Sequence, residues 1–395
     1  MIQIIPKGLV ADFKKELEAT FTKFSSTSTK EVSEHSIRRV VDQAVRVWCF
    51  IYEKQRIQSS MSSQPFSYWV NIPAYEMNQK FRSAVPEFLP VLKFRYTYFT
   101  DFLERYGYIE KNHSYSNLYH YTKSYRVCVE KLGEYDFYNQ PKIYRMKEDW
   151  IREYPENKSL IENHYYSDID IDGALKYIEG MEGIGYKGRI VDKVRIFRWR
   201  RELYNIKQKH FWFSKSASGR FYSTFTNLPQ PLRKFITIEN RNLKTLDLKN
   251  AQPLFLAHLI GHREMIEACR KGVFYEKILQ NIPNLSRVKL KELVYQTILF
   301  NPKETRMDLD FVKLVDRVFP EMIQKINDFK KDKKVWLELQ KIESSIFIDS
   351  MKDVEFPYLT CHDSISVAPA YLDEATEKLE GELKRRGYEC VIDID

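Results

Sequence analysis

Leu243-Lys244-Thr245-Leu246-Asp247-Leu248 reads as a short strand that ends at an acid, and residues 253–260 (Pro-Leu-Phe-Leu-Ala-His-Leu-Ile) read as an apolar helix behind it. A second stretch, Tyr358-Leu359-Thr360-Cys361-His362-Asp363-Ser364-Ile365-Ser366-Val367, reads as a hairpin with its acid at the turn. Taken singly, an Asp at a turn or a helix cap is commonplace. Two carboxylates from distant parts of the chain, each at a strand end, are a different matter. They form the kind of rigid donor set that holds a pair of divalent ions about 4 Å apart in nucleotidyl transfer.

Between the two acids lies Arg287-Val288-Lys289-Leu290-Lys291-Glu292-Leu293-Val294-Tyr295. Residues spaced by four share a helix face, so Arg287, Lys291 and Tyr295 present two cations and a ring together. By itself such a stripe is more often a solvated helix edge. In this order, between the two acids, it is not.

The segment from Asp247 through Gln252 to the Ala257-His258-Leu259 run resembles the first palm motif of family A DNA polymerases. His362-Asp363-Ser364 is similar to the third palm motif, and its Ser is the residue found in the related single-subunit phage-type RNA polymerases. The helix carrying Arg287, Lys291 and Tyr295 resembles the fingers helix. Ser218-Gly219-Arg220 before Thr226-Asn227-Leu228-Pro229 resembles a segment that contacts the primer–template. Lys271-Gly272-Val273-Phe274-Tyr275 resembles another stretch of the family, with Tyr275 in place of a His. Leu339-Gln340, followed by Met351, is similar to the helix that touches the duplex minor groove. Glu343 stands there as an unexpected acid, expected to be a local helix-face residue. The likeness spans residues 211–395.

The resemblance implies an α+β fold: a right-hand palm with short fingers and a small helical thumb, preceded by a helical and winged-helix portion. It implies Asp247 and Asp363 as metal ligands for two Mg²⁺ or Mn²⁺ ions, with Lys291 completing the catalytic set. Arg287 and Lys291 would bind the triphosphate, and Gln252 and Tyr295 would border the sugar. Arg220, His362 and Gln340 would meet the primer–template. The interval between the first and third motifs is short, so the fingers are reduced. The aromatic expected at the end of the fingers stripe aligns with Leu299, with Phe300 next to it. No Asp-x-Glu pattern of a proofreading exonuclease stands upstream. The activity implied is DNA polymerase, with or without priming ability, in replication or repair of a small or mobile genome. The alternatives are an RNA-synthesising primase or RNA polymerase, and a non-catalytic winged-helix replication initiator.

The composition agrees with a nucleic-acid partner. The 395 residues carry a net charge of +9, with 26 Tyr and 25 Phe among 43% hydrophobic residues. Between positions 186 and 245 fifteen Lys and Arg face three acids, with Trp199, Phe211, Trp212, Phe213, Phe221 and Tyr222 interleaved. Within it Arg195, Arg198 and Arg201 are the candidates for gripping a duplex. The domain reading is residues 1–150 as a helical and winged-helix-like region, 151–215 as a basic thumb-like region, and 216–395 as a palm with fingers inserted over about 262–340.

Upstream, the polar stretches 25–29 and 59–65 read as breaks between helices. Leu92, Tyr96, Phe99, Leu103 and Tyr106 recur at helical spacing, and Gly107 ends that helix. A short strand at 108–110, a polar stretch 111–117 and an alternating segment through Tyr119, Tyr121, Tyr125 and Val127 then resemble a wing. Asp168, Asp170, Asp172, Gly173 and Glu179 have the spacing of a calcium loop. Ile169, Ile171 and Lys176 fit that loop poorly, and no second hand pairs with it. The five cysteines lack paired spacing, and neither a signal pattern nor a membrane-length apolar run is present. A reducing, cytoplasmic setting is the default expectation. Oligomeric state is not legible.

Overall fold

The computed structural model describes residues 2–25, 34–62, 69–81, 95–113, 123–139, 145–186, 189–282 and 284–395. The chain is mixed α/β and divides into two compact units. One comprises residues 1–144 with 175–204, the other 145–174 with 205–395. The stretch 151–215, read from sequence as one basic part, is therefore shared between them.

In the first unit, helices Leu9–Ser25, Glu34–Ser62 and Tyr96–Arg105 enclose an aromatic core of Phe13, Trp48, Tyr52, Phe99 and Phe102. Tyr96, Phe99 and Leu103 are buried from one face of the third helix, and Gly107 ends it at φ 72. Leu92, the break at 26–29 and the stretch 114–122 lie outside the described residues. Strand Ile109–Asn112 pairs with Ser124–Val127, which pairs in turn with Val70–Asn71. Two expectations differ here. Helix Glu34–Ser62 runs into the first part of the break expected at 59–65, whose residues 63–65 lie outside the described residues. Ile2–Pro6, expected within a helical region, is a strand paired with Tyr135–Asn139.

Helix Lys193–Lys207 begins in this unit and turns Phe197 into the same core. Much of its basic character is spent internally. Arg201 pairs with Glu53 at 2.7 Å and lies 5.0 Å from the Tyr52 ring centroid. Arg200 is buried over Tyr135.

The second unit is built on a four-stranded antiparallel sheet. Its spatial order is Tyr358–Thr360, Ser364–Val367, Lys244–Leu248, Ile392–Ile394. Leu246 and Leu248 are buried on one face of the strand, which the exposed Lys244 shares at its start, while Asp247 between them points to the other face. Helices Ala251–Leu259 and Val335–Ser350 pack against each other, and Leu372–Arg385 packs on the latter. A separate sheet joins Ser167–Ile169 to Ile236–Ile238. That strand, followed by helix Ile171–Glu179, replaces the calcium loop. Asp170 is spent capping the helix through the Gly173 amide at 3.0 Å. A Cβ on Gly173 would collide with the Asp170 carboxylate, which explains the glycine without a cation.

His164 anchors the neighbouring helix of this unit. It donates from Nδ1 to the Leu160 carbonyl at 2.7 Å and accepts at Nε2 from the Ser223 hydroxyl at 2.8 Å. Burial pushes its pKa down to about 4. A base whose native pKa is depressed leaves the unfolded chain binding more protons between the two values. Its stabilisation is therefore full above about pH 6.5 and is lost as pH falls toward 4. His164→Gln is expected to remove about 2 kcal/mol of the stability difference between pH 7 and pH 5. Urea unfolding of both proteins at the two pH values measures it. An unchanged difference would contradict the assignment.

Candidate active site

Asp247 is the fourth residue of its strand and lies directly opposite Ser364. Asp363, one residue before Ser364, thus stands at the hairpin tip beside it. The hairpin closes through reciprocal backbone bonds between Cys361 and Ser364 of 3.0 and 3.2 Å, leaving His362 and Asp363 as a two-residue tip. His362 takes a positive φ of 58, and the Ser364 hydroxyl donates to the Cys361 carbonyl at 3.1 Å. The sheet brings the two acids together across 116 residues of sequence.

Electrostatics register the meeting. The Asp247 carboxyl is pushed up to about 6, first by partial enclosure and then by the like charge of Asp363. Lys291 pulls it back down, so that ammonium also reaches the acids. Lys291 is exposed, 5.8 Å from the Tyr295 ring centroid. Arg287, on the same face, pairs with Glu276 at 2.9 Å and lies 5.4 Å from the Tyr275 ring centroid. Both partners of that ion pair are largely exposed, so the pair is weak and yields readily to an anion.

The helix Arg287–Leu293 continues as a π-helical segment over Val294–Leu299. The Phe300 amide donates to the Tyr295 carbonyl at 2.8 Å, an i→i+5 bond. The extra residue corrects the expected alignment. Leu299, four residues on, is buried, while Phe300, five residues on, meets Tyr295 at 4.9 Å between ring centroids. One π-turn therefore extends the Arg287–Lys291–Tyr295 stripe to a second aromatic.

Beneath the acids lies a buried polar relay. Glu343, 0% exposed, accepts from the Arg220 guanidinium and from the Gln252 side-chain amide. Its pKa is pushed up to about 7, chiefly by burial, with Arg220 opposing and Asp363 adding to the rise. The expected helix-face acid is in fact a core residue joining two of the candidates. Arg220, read from sequence as a primer–template contact, turns its guanidinium toward Glu343. Gly219, at φ 83, shapes the loop that presents it. His362 packs 5.2 Å from the Tyr222 ring centroid, and burial with the nearby Arg220 charge lowers its pKa to about 4. At neutral pH it is an uncharged donor or acceptor rather than a phosphate-binding cation. Gln340, one turn before Glu343, is half-buried. Arg195, Arg198 and Arg201 belong to the other unit.

Among the described residues no cluster of three or more His, Cys, Asp or Glu is placed to hold a metal. Asp247 and Asp363 stand together as two carboxylates, and hard oxygen donors of this kind suit Mg²⁺ or Mn²⁺. A cation between two acids whose proximity already raises the pKa of one would relieve that repulsion. In this sense the residues fit the ions.

The chain is similar to the POL domain of Pol1 from M. smegmatis, a structure in complex with DNA primer-template and dNTP. The identity is 12%, over 61% of this chain and 69% of that one, with a TM-score of 0.41. No protein-family model and no curated protein matches the chain. Among the described residues no helix is long and apolar enough to cross a membrane.

Proposed function

We propose that the second unit is a polymerase palm with short fingers that adds nucleotides to a primer 3′ hydroxyl on a nucleic-acid template. The observation that carries this reading is the convergence of Asp247, Asp363 and Lys291 from three distant segments onto one end of one sheet. The favoured activity is DNA-directed DNA synthesis without proofreading.

Asp247 and Asp363 would hold the divalent ions, whose chemistry is to acidify a hydroxyl and neutralise phosphate charge. Lys291 and Arg287 would attract the triphosphate, and Lys291 would hold a proton near the departing pyrophosphate. Tyr295 and Phe300, tilted against each other, would give an aromatic edge for the base, and Gln252 would border the sugar. His362 and Gln340 would meet the duplex. In the first unit, the order of helices followed by Ile109–Asn112 and Ser124–Val127, with Val70–Asn71 in the same sheet, supports a winged-helix nucleic-acid contact. RNA synthesis is the second reading, favoured by Ser364.

The test is extension of a labelled primer in Mg²⁺ with dNTPs or NTPs, on DNA and on RNA templates. Extension that stops when Mg²⁺ is chelated is expected. No extension on any template would remove the proposal.

A further inference from the structure

The first unit offers nucleic acid two faces, and their charges differ. A helix-turn-helix presents its recognition helix to the major groove, and that helix is here Tyr96–Arg105, ahead of the strands Ile109–Asn112 and Ser124–Val127. It carries acids on its surface. Asp101 and Glu104 both pair with Lys111, whose side chain is 6% exposed, and Glu104 also meets His113 at 2.8 Å. Arg105 is taken by Glu16. A phosphate approaching this face meets carboxylates, beside cations that are already engaged.

The second face is an open cavity of about 500 Å³ between helices Leu9–Ser25 and Glu34–Ser62 and strand Tyr135–Asn139. That volume is in the range of sites for small organic ligands. Val10, Ile37, Val41 and Tyr138 line it, together with the exposed Lys14 and Arg38. Neither cation has an ion pair among the described residues. Tyr138 is fixed by donating its hydroxyl to the buried Asp42 carboxylate, and the charges of Arg38 and Arg46 both reach that hydroxyl. Glu34 is the one acid among the described residues of the lining. The cavity thus joins uncommitted cations to apolar walls and a ring.

We propose that this cavity binds single-stranded nucleic acid, taking one base with its sugar against the apolar walls while Lys14 and Arg38 hold the flanking phosphates. The inference rests on the nucleic-acid role proposed for the protein. It assigns the first unit's contact to this face rather than to the helix before the wing. A duplex keeps its bases stacked inward and offers a concave site only phosphates. An unpaired strand turns a base out onto an apolar wall or a ring, so the cavity selects single strands.

The experiment follows anisotropy of a short labelled oligothymidylate, and of a blunt duplex of the same length, across a range of salt. The full chain is used as wild type, Glu34→Gln, Ile37→Trp and the combined Lys14→Ala and Arg38→Ala variant, with circular dichroism checking each fold. Each lost phosphate contact should flatten the log–log salt slope by about 0.7, which is about 5-fold in affinity near 0.1 M salt. The combined variant should therefore weaken single-strand binding by about 25-fold and leave the duplex nearly unmoved. Glu34→Gln should tighten the single strand, because an acid beside the phosphates is gone. Ile37→Trp fills the cavity without touching charge and should weaken it. An unchanged slope in the combined variant, or equal losses on single strand and duplex, would overturn the inference. So would Ile37→Trp binding as wild type does. Tighter binding of a glutamate-rich peptide than of the strand, lost in the combined variant, would assign the cavity to protein and overturn it too. Primer extension by the same proteins is read separately. Its absence in wild type strikes down the proposed function, whereas extension that survives with no change in single-strand binding strikes down this inference alone.

Discussion

Asp247→Ala and Asp363→Ala are each expected to lower nucleotide addition by more than about 100-fold. Groups that merely support a metal's ligands are worth about 10- to 100-fold, so loss of a ligand itself should exceed that. Duplex affinity should survive, because it comes from cationic contacts to phosphates and each change removes a negative charge beside them. Gel-based extension and duplex binding by anisotropy separate the two effects. A mutant that extends normally would end the metal-ligand assignment. The repulsion between the acids gives an independent check. In metal-free Asp363→Asn the Asp247 carboxyl should titrate below its native value of about 6, toward the ordinary carboxylate range. Carboxyl NMR reads it directly, and an unmoved pKa would mean the two groups are not neighbours.

Lys291→Ala is the second large effect. A preorganised cation aimed at charge that grows in the transition state is worth about 10²- to 10³-fold in rate. Lys291 is exposed and carries no core packing, so the change should spare stability. Lys291→Arg is the informative companion. It keeps the positive charge, so nucleotide KM should recover. Arg does not give up a proton in this pH range, so kcat should stay low. Full recovery of both would reduce Lys291 to a simple charge, and no loss in Lys291→Ala would remove it from the site.

Much of this site is legible because its signals are local. Asp247 sits outward between two inward leucines, and a two-residue pattern needs no knowledge of the fold. Arg287, Lys291 and Tyr295 share a face by helix geometry alone. What stays hidden depends on partners far away. Glu343 looks like one more helix-surface acid until Arg220 and Gln252, 123 and 91 residues distant, close over it. The turn of Arg220 toward Glu343 is hidden for the same reason. Phe300 is masked by a π-turn, which shifts the aromatic one place from where a regular helix puts it. The strand Ile2–Pro6 cannot be read locally because its partner begins at Tyr135. The calcium-loop spacing misleads in the opposite direction. Its acids match a pattern, but Ile169 and Ile171 favour the strand and helix that form.

Template direction is the central claim, and single-turnover addition opposite each of the four templating bases tests it most directly. With sequence otherwise constant and Mg²⁺ present, the nucleotide incorporated should change with the templating base and follow its complement in all four cases. Incorporation of the same nucleotide regardless of the template, or none at all, would contradict the account.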